Sequence, residues 1–104
     1  MTKIIVLFNL KAGVTAEDYE AWALAVDVPA VNGLNSVAEF DVFRTSGLLG
    51  GGEAPYQYVE TIDVPDLEAL GADVASEVMQ KISAEFQQFA DNPLFMISSS
   101  IVEK

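Results

Sequence analysis

The sequence predicts one α+β domain over residues 1–104, with its elements in the ferredoxin-like order β-α-β-β-α-β. Four runs rich in β-branched and aromatic residues alternate in this order with two segments whose apolar residues recur at helical spacing. A chain of 104 residues fits one domain, and 51% of its residues are apolar, which is sufficient for a buried core. We therefore expect a four-stranded antiparallel sheet with both helices on one face.

The first strand and the first helix are predicted from the start of the chain. Residues 4–8 (IIVLF) are apolar on both parities, which indicates a strand covered on both faces. Thr15 and Asp18 form a capping-box pattern that begins a helix. One helical face follows at spacings of three and four residues: Tyr19, Trp22, Ala23 and Val26. Pro29 is expected to end this helix, because the residue before a proline avoids helical angles.

The middle of the chain predicts two strands with a flexible connection between them. Residues 36–45 form the second strand, with Phe40, Val42 and Phe43 as its apolar members. Residues 56–63 alternate and are rich in Tyr, Val, Thr and Ile, which is typical of a third strand. The glycine-rich residues 47–55 lack the Lys-Ser/Thr element of a phosphate loop. They are either a plain hairpin connection or a lid over a pocket.

The second helical region and the last strand complete the predicted order. Asp63, Pro65 and Asp66 are typical of a helix start. An apolar stripe at helical spacing follows: Leu67, Leu70, Val74, Val78, Ile82, Phe86 and Phe89. Gly71 is a candidate for a kink or a split in this stripe. Residues 91–93 (DNP) are expected to end the helix, and residues 94–102 are predicted to form the fourth strand.

The composition excludes several classes of function. The chain has no cysteine, which excludes disulfides and thiol nucleophiles, and no histidine, the commonest general base and metal ligand. We therefore expect no metal and no cofactor. The net charge of −11 would repel phosphate backbones and anionic lipid, so neither nucleic acid nor a membrane is expected as a partner. The opening residues are predicted to begin a strand and not a signal peptide, so a cytoplasmic location is expected.

Apolar residues on both parities of the strands predict a homodimer. With both helices on one face of the sheet, the other face would be bare. An apolar sheet face is normally buried against something, and the same face of a second copy is the simplest cover. Two such sheets packed face to face form a dimeric α/β barrel.

Five segments of the chain resemble the RedY-like (HapK- and PigK-type) family of prodiginine pigment pathways. They are residues 19–23 (YEAWA), 27–31 (DVPAV), 36–37 (SV), 55–60 (PYQYVE) and 89–95 (FADNPLF). The resemblance extends over nearly the whole chain. It implies a dimeric α/β barrel and a part in making bipyrrole or bis-indole type metabolites. The histidine used by haem-degrading proteins of similar fold is absent here, which weighs against haem.

Three residues are candidate catalytic groups: Asp27, Tyr58 and Glu60. Asp27 lies at the end of the first helix, where a carboxylate opposes the helix dipole. It is therefore either a base facing a pocket or an anchor for the following loop, and burial would raise its pKa toward neutrality. Tyr58 and Glu60 share one face of the third strand with Tyr56. They are either a proton donor and base or a cross-strand pair with polar tips in water.

Four residues are candidate substrate contacts: Asn9, Tyr19, Trp22 and Arg44. Asn9 interrupts the first strand and either holds a substrate oxygen or faces water; antibiotic-pathway monooxygenases of similar fold use a polar residue in this region. Tyr19 and Trp22 are either core aromatics or a wall on which a flat substrate stacks. Arg44 either pairs with a carboxylate across the dimer or clamps a substrate carboxylate.

Two further patterns favour structural roles. Glu39 and Asp41 project from one face of the second strand, where exposed edge charges that block aggregation are favoured over a proton-sharing pair. Residues 98–100 (SSS) have no histidine to activate them, which excludes a hydrolase triad.

Three functions are consistent with the sequence. The leading hypothesis is a cofactor-independent biosynthetic enzyme that binds a small aromatic pyrrole- or indole-type metabolite between the helices and the sheet. In it, Asp27, Tyr58 or Glu60 moves a proton while Asn9 and Trp22 hold the ring. The alternatives are a non-catalytic protein that shields a pathway intermediate and a cofactor-free monooxygenase of the antibiotic-biosynthesis type.

Overall fold

The computed structural model describes residues 2–102 and confirms the predicted order of strands, with each predicted helix divided into shorter segments. The elements are β1 (Thr2–Leu10), α1 (Ala16–Trp22), a π-helical segment (Ala23–Asp27), α2 (Val28–Asn32), β2 (Glu39–Arg44), β3 (Tyr58–Val64), α3 (Leu67–Val74), α4 (Glu77–Phe89) and β4 (Ala90–Ser99). Within the described part of the chain, no helix is long and apolar enough to cross a membrane.

The strands form one antiparallel sheet in the order β2-β3-β1-β4. At its centre, Val6 of β1 lies opposite Glu60 of β3 on one side and opposite Phe95 of β4 on the other. The ladder between β1 and β4 is irregular between Leu7 and Asn9. This strand order and direction are those of the ferredoxin-like sheet that the sequence predicts.

The sheet face that meets the helices carries the core. Val6 and Phe8 of β1 are fully buried, whereas Ile5 and Leu7, which alternate with them, are only partly buried, as expected from the alternation of a strand. The ring of Phe8 meets the rings of Tyr19 and Phe86 edge-on, at centroid distances of 5.4 and 5.0 Å. Each such pair contributes about 0.5–1.5 kcal/mol beyond its buried area. These contacts join α1 and α4 to the centre of the sheet.

The first helix begins as predicted but continues past Pro29. The Thr15 hydroxyl accepts a hydrogen bond from the Asp18 backbone N–H at 3.1 Å, which confirms the predicted cap. The prediction that Pro29 ends the helix is wrong. The turn before it is π-helical, and the Val28 N–H reaches back to the Ala23 carbonyl. Pro29 therefore lies in the first turn of α2, where its missing N–H removes no required hydrogen bond.

The second helical region is divided at Ser76 and not at Gly71. Ser76 caps α4 by accepting from the Met79 N–H at 3.3 Å, whereas Gly71 lies inside α3. Of the predicted capping residues, Asp66 caps α3: its carboxylate accepts from the Glu68 N–H at 3.0 Å. Asp63 belongs instead to β3, where it pairs with Lys3 at 3.2 Å. Serine is a favoured N-cap residue because its hydroxyl accepts from a backbone N–H of the first turn.

Two strand boundaries also differ from the prediction. β2 begins at Glu39, after a turn in which Ser36 and Val37 are buried. β4 begins at Ala90, directly after α4, so residues 91–93 lie inside the strand and do not separate it from the helix. Asn92 has a φ of 45°, in the left-handed region that asparagine tolerates, beside the irregularity in the β1–β4 ladder. The tertiary pairing with β1 therefore overrides the local turn signal.

The opposite face of the sheet carries an apolar patch that lacks a cover in the single chain, with polar side chains such as Glu39 and Asp41 beside it. The pairing registers place six apolar side chains on it: Ile5, Leu7, Phe43, Val59, Leu94 and Met96. Phe43, Leu94 and Met96 are 49%, 46% and 42% exposed. We refer to these six side chains as the open face. The predicted apolar character of both strand parities is thus confirmed.

Candidate functional site

A cavity of about 330 Å³ lies between the helix-covered face of the sheet and the helices. Its walls are almost entirely apolar, with Ile4, Phe40 and Ile62 from the sheet and Val31, Ile82 and Phe86 from the helices. Val74, Gln80 and Phe95, which also line it, are exposed, so the cavity opens to solvent. Two carboxylic acids, Asp27 and Glu60, are part of this apolar wall.

Asp27 is placed in the cavity by the first helical region. It lies four residues after Ala23 and eight after Tyr19, so it continues their buried stripe at the end of the π-helical segment. Its side chain is only 5% exposed. Burial disfavours the charged carboxylate and raises the pKa of Asp27 from 3.8 to about 6. π-Helical turns often occur at functional sites.

Glu60 reaches the same cavity from β3, between Tyr58 and Ile62 on the inward parity. It is 4% exposed and accepts a hydrogen bond from the Tyr19 hydroxyl at 3.3 Å. Burial is the main cause of its pKa shift, the nearby Asp27 charge adds to it, and the hydrogen bond from Tyr19 opposes it. Together they raise the pKa of Glu60 from 4.5 to about 8.

The two acids are arranged to hold different protonation states at neutral pH. With pKa values of about 6 and about 8, Asp27 is mostly a carboxylate and Glu60 mostly a carboxylic acid. A pair of titratable groups whose environments separate their pKa values can serve as base and acid in one site. The geometry therefore allows a proton to be removed at one position of a bound molecule and supplied at another.

The tyrosine that accompanies Glu60 is Tyr19 and not the predicted Tyr58. The ring of Tyr58 stacks on Phe8, and its hydroxyl donates to Glu20 at 2.6 Å, outside the cavity. Burial and, second to it, the hydrogen bond to Glu20 raise the pKa of Tyr58 above its usual range. Tyr19 is fully buried, and burial with the neighbouring acids raises its pKa in the same direction, so its hydroxyl remains a donor. The shared strand parity of Tyr58 and Glu60 did not fix where the tyrosine hydroxyl lies.

The structure does not bring Trp22 into the cavity wall. Its ring packs between Phe89 and Phe86, at centroid distances of 5.1 and 6.5 Å. Its indole N–H donates to Glu85 at 2.7 Å. The core interpretation of Trp22 is therefore the one that the contacts favour. Phe86 lines the cavity, so its ring separates Trp22 from the cavity.

Asn9 does not reach the cavity, because both ends of its amide bind the backbone after the glycine-rich loop. Its Nδ2 donates to the Pro55 carbonyl at 3.1 Å, and its Oδ1 accepts from the Gln57 N–H at 3.0 Å. The loop itself closes on a hydrogen bond from the Leu48 N–H to the Gly52 carbonyl at 3.0 Å, where Gly52 has a φ of 101°. Asn9 thus fixes the end of this loop, which lies beside a separate surface groove.

Arg44 also lies outside the cavity and pairs within its own chain. Its guanidinium contacts the Glu20 carboxylate at 3.1 Å, the same carboxylate that accepts from Tyr58. Glu20 had no distinguishing pattern in the sequence, since an acid on the exposed side of a helix is ordinary.

Glu39 and Asp41 are exposed on the open-face parity, in agreement with the favoured structural interpretation. Among residues 2–102, no three acids lie where they could jointly hold a metal ion.

Comparison with known families gives one match over almost the whole chain. The family model described as REDY-like protein HapK matches residues 2–101. The crystal structure of HapK from Hahella chejuensis has 29% sequence identity and a TM-score of 0.79, and the match covers 100% of this chain and 96% of that chain. None of the curated proteins matches this chain significantly.

More distant solved structures share the fold. A dimeric protein of ferredoxin-like fold from Bacteroides fragilis has 12% identity and a TM-score of 0.66, and the match covers 95% of each chain. SnoaB, a cofactor-independent oxygenase from Streptomyces nogalater, has 9% identity and a TM-score of 0.78, with 98% of this chain and 94% of that chain covered. At these identities the similarity concerns the fold.

Proposed function

Because the chain belongs to the REDY-like HapK family, we propose that it acts in secondary metabolism of the prodigiosin type. It binds a small aromatic pyrrole- or indole-type intermediate in the cavity and moves a proton on it without metal or haem. Asp27 is the base and Glu60 the acid. The observation that carries the proposal is a pair of buried acids with separated pKa values in a mostly apolar cavity.

The cavity suits a flat ligand of this kind. Its volume of about 330 Å³ is at the lower end of the ~300–1,000 Å³ typical of small-molecule sites. The rings of Phe40, Phe86 and Phe95 are among its apolar walls, and an aromatic ligand gains from packing against such rings. Tyr19 holds the Glu60 carboxyl in place from within the core. We thus assign Tyr19 a positioning role in place of the predicted stacking role.

The test is incubation of the protein with bipyrrole and indole aldehydes and related intermediates, followed by chromatography of the products. Formation of a product that depends on the protein supports the proposal. Saturable binding without product would replace it with the shielding protein. Oxygen consumption with a reduced aromatic substrate would replace it with the monooxygenase.

Binding is expected to change the fluorescence of Trp22, the only tryptophan in the chain. Its ring contacts Phe86, which lines the cavity, so a ligand there alters the surroundings of the indole. Titration with a bipyrrole should give a saturable change in emission. The Phe86→Leu variant should weaken the change in emission. Leu24→Ala should not weaken it, because Leu24, two residues after Trp22, is 73% exposed. An equal response in both variants would place the ligand elsewhere.

We further propose that a second copy covers the open face and completes a dimeric α/β barrel. The apolar side chains on both central strands support this cover. The Leu7→Glu variant should sediment as a monomer, because it places a charge in the centre of that face. The matched Leu24→Glu variant, which changes an exposed leucine on the helix side, should remain a dimer. A monomeric wild-type chain at micromolar concentration would contradict the proposal.

A further inference from the structure

We propose that the ligand of the cavity is a flat nitrogen base that binds in its protonated, cationic form and donates N–H groups to Asp27 and Glu60. This inference rests on the proposed function, since it concerns the same cavity, and it specifies the charge and the hydrogen-bonding pattern of the ligand. It excludes carboxylate-bearing aromatics as preferred ligands.

The first support is the balance of charge in the cavity. Of the described side chains that line it, Asp27 and Glu60 are the only ionisable ones, and both are acids. The remaining polar lining consists of Gln80 and Ser83, which carry no charge. Two of the chain's few basic residues, Lys3 and Arg44, pair with acids elsewhere. An anionic ligand would meet two acids and no counter-charge, which is costly in an apolar surrounding.

The second support is the state of the Asp27 carboxyl. Asp27 is 5% exposed, and it lines the cavity. Among the hydrogen bonds of the described residues, none involves this carboxyl, and burial is the sole cause of its pKa shift. Because this carboxyl lines an open cavity without a donor among the described residues, it is available to accept from an N–H group of a ligand. In Glu60, by contrast, one carboxyl oxygen already accepts from Tyr19, and the second oxygen is left to accept from a ligand.

The third support is geometric. Asp27 comes from the first helical region and Glu60 from the centre of the sheet, so the two acids approach a ligand from different walls. They are close enough for the charge of one to raise the pKa of the other. A ligand with two N–H groups and a delocalised positive charge satisfies both acids at once. The apolar walls then accept its flat rings.

Cation binding in this cavity must be coupled to proton release. Asp27 and Glu60 face each other, and Tyr19 of α1 is the further titratable group beside them. The lining residues of α3, α4 and β4 are uncharged. At neutral pH the cation would meet one carboxylate and one neutral acid, and it favours the ionised form of both. Binding should therefore release a fraction of a proton, so that part of the complexes keep Glu60 protonated as the acid of the proposed reaction, and it should tighten as the pH rises toward about 8.

The test uses three probes of nearly the same shape and different charge: benzamidine, benzamide and benzoate. Affinities for the full-length protein are measured by calorimetry and by amide chemical shifts at neutral pH. We expect benzamidine to bind at least tenfold more tightly than benzamide, benzoate to bind most weakly, and benzamidine binding to release protons in paired buffers. Asp27→Asn should reduce the preference for benzamidine at least tenfold. The matched Asp18→Asn variant, with the same change on an exposed residue, should retain it.

The outcomes separate this inference from the proposed function. If benzamide or benzoate binds at the cavity residues as tightly as benzamidine, the charge assignment is overturned while an aromatic site remains. If Asp18→Asn loses the preference as much as Asp27→Asn, the preference comes from overall charge and the inference also falls. If none of the three probes shifts the cavity residues at millimolar concentration, the aromatic site itself is absent and the proposed function falls with it.

Discussion

Replacement of Asp27 by asparagine is expected to reduce turnover of the pyrrole- or indole-type substrate by roughly 10²- to 10⁴-fold, the usual contribution of a positioned general base. With a pKa of about 6, the Asp27 carboxyl is ionised at neutral pH and can accept a proton. Asparagine has nearly the same shape but cannot accept one. The change is measured as kcat in a product assay, with circular dichroism to show that the fold is retained.

Two controls make this prediction specific. Asp18→Asn makes the same chemical change on an exposed residue of the first helical region and should leave the rate unchanged. In the wild-type protein, the rate should be highest between about pH 6 and about pH 8, where Asp27 is ionised and Glu60 is protonated. Asp27→Asn should remove the rise on the acidic side. If the variant keeps its full rate, Asp27 is not the base.

The protein is expected to lose stability as the pH rises, and most of this loss should come from Glu60. The carboxyl has a pKa of about 8 in the folded chain and 4.5 as its ordinary value. Between these values the folded chain holds one more proton than the unfolded chain, so the free energy of unfolding falls as the pH rises through this window. The loss attributable to Glu60 is on the order of 5 kcal/mol, and Asp27 adds a smaller loss between about pH 4 and about pH 6.

Urea denaturation at a series of pH values and one protein concentration measures this effect. Glu60→Gln replaces a neutralised acid by a neutral amide and should flatten the decline above pH 6, at a small cost from the altered contact with Tyr19. Glu17→Gln, which removes an exposed charge from the first turn of α1, should leave the slope unchanged. A wild-type protein that is as stable at pH 9 as at pH 5 would show that Glu60 is not buried as the structure has it.

The fold was largely predictable because its signals are local and repeated. Four strand-like runs and two helical stripes suffice for the βαββαβ order, and the alternation along β1 indicates both the buried and the open face. The errors lie at boundaries. Pro29 was expected to end a helix, but it lies in the first turn of α2, after a π-helical turn. Residues 91–93 were expected to end the helix ahead of the strand, but they lie inside β4, where the non-local pairing with β1 outweighs the local preference.

The acids of the candidate site were also visible in the sequence. Asp27 was singled out by its place at the end of the first helix and Glu60 by the strand face that it shares with Tyr58, and a structural alternative stayed open for each. Their partners were not visible. Tyr19 was interpreted as either a core aromatic or a wall for the substrate, and Tyr58 as a proton donor beside Glu60, whereas the hydroxyl that reaches Glu60 is that of Tyr19. Asn9 and Arg44 were candidates for the same site as Asp27 and Glu60, but they line a separate surface groove together with Tyr58, and Trp22 packs in the aromatic core.

Helical and strand periods decide which face each residue occupies, and the order of those periods along the chain decides the topology. Both are properties of neighbouring residues, so the amino acids alone sufficed to make Asp27 and Glu60 candidates, whereas only the packed fold decided that both are buried. Which hydroxyl points toward an acid, and which side chains share a cavity, depends on rotamers and on contacts between residues about 40 positions apart, such as Tyr19 and Glu60. Those contacts exist only once the helices have packed on the sheet, and that packing turned two isolated acids into a pair.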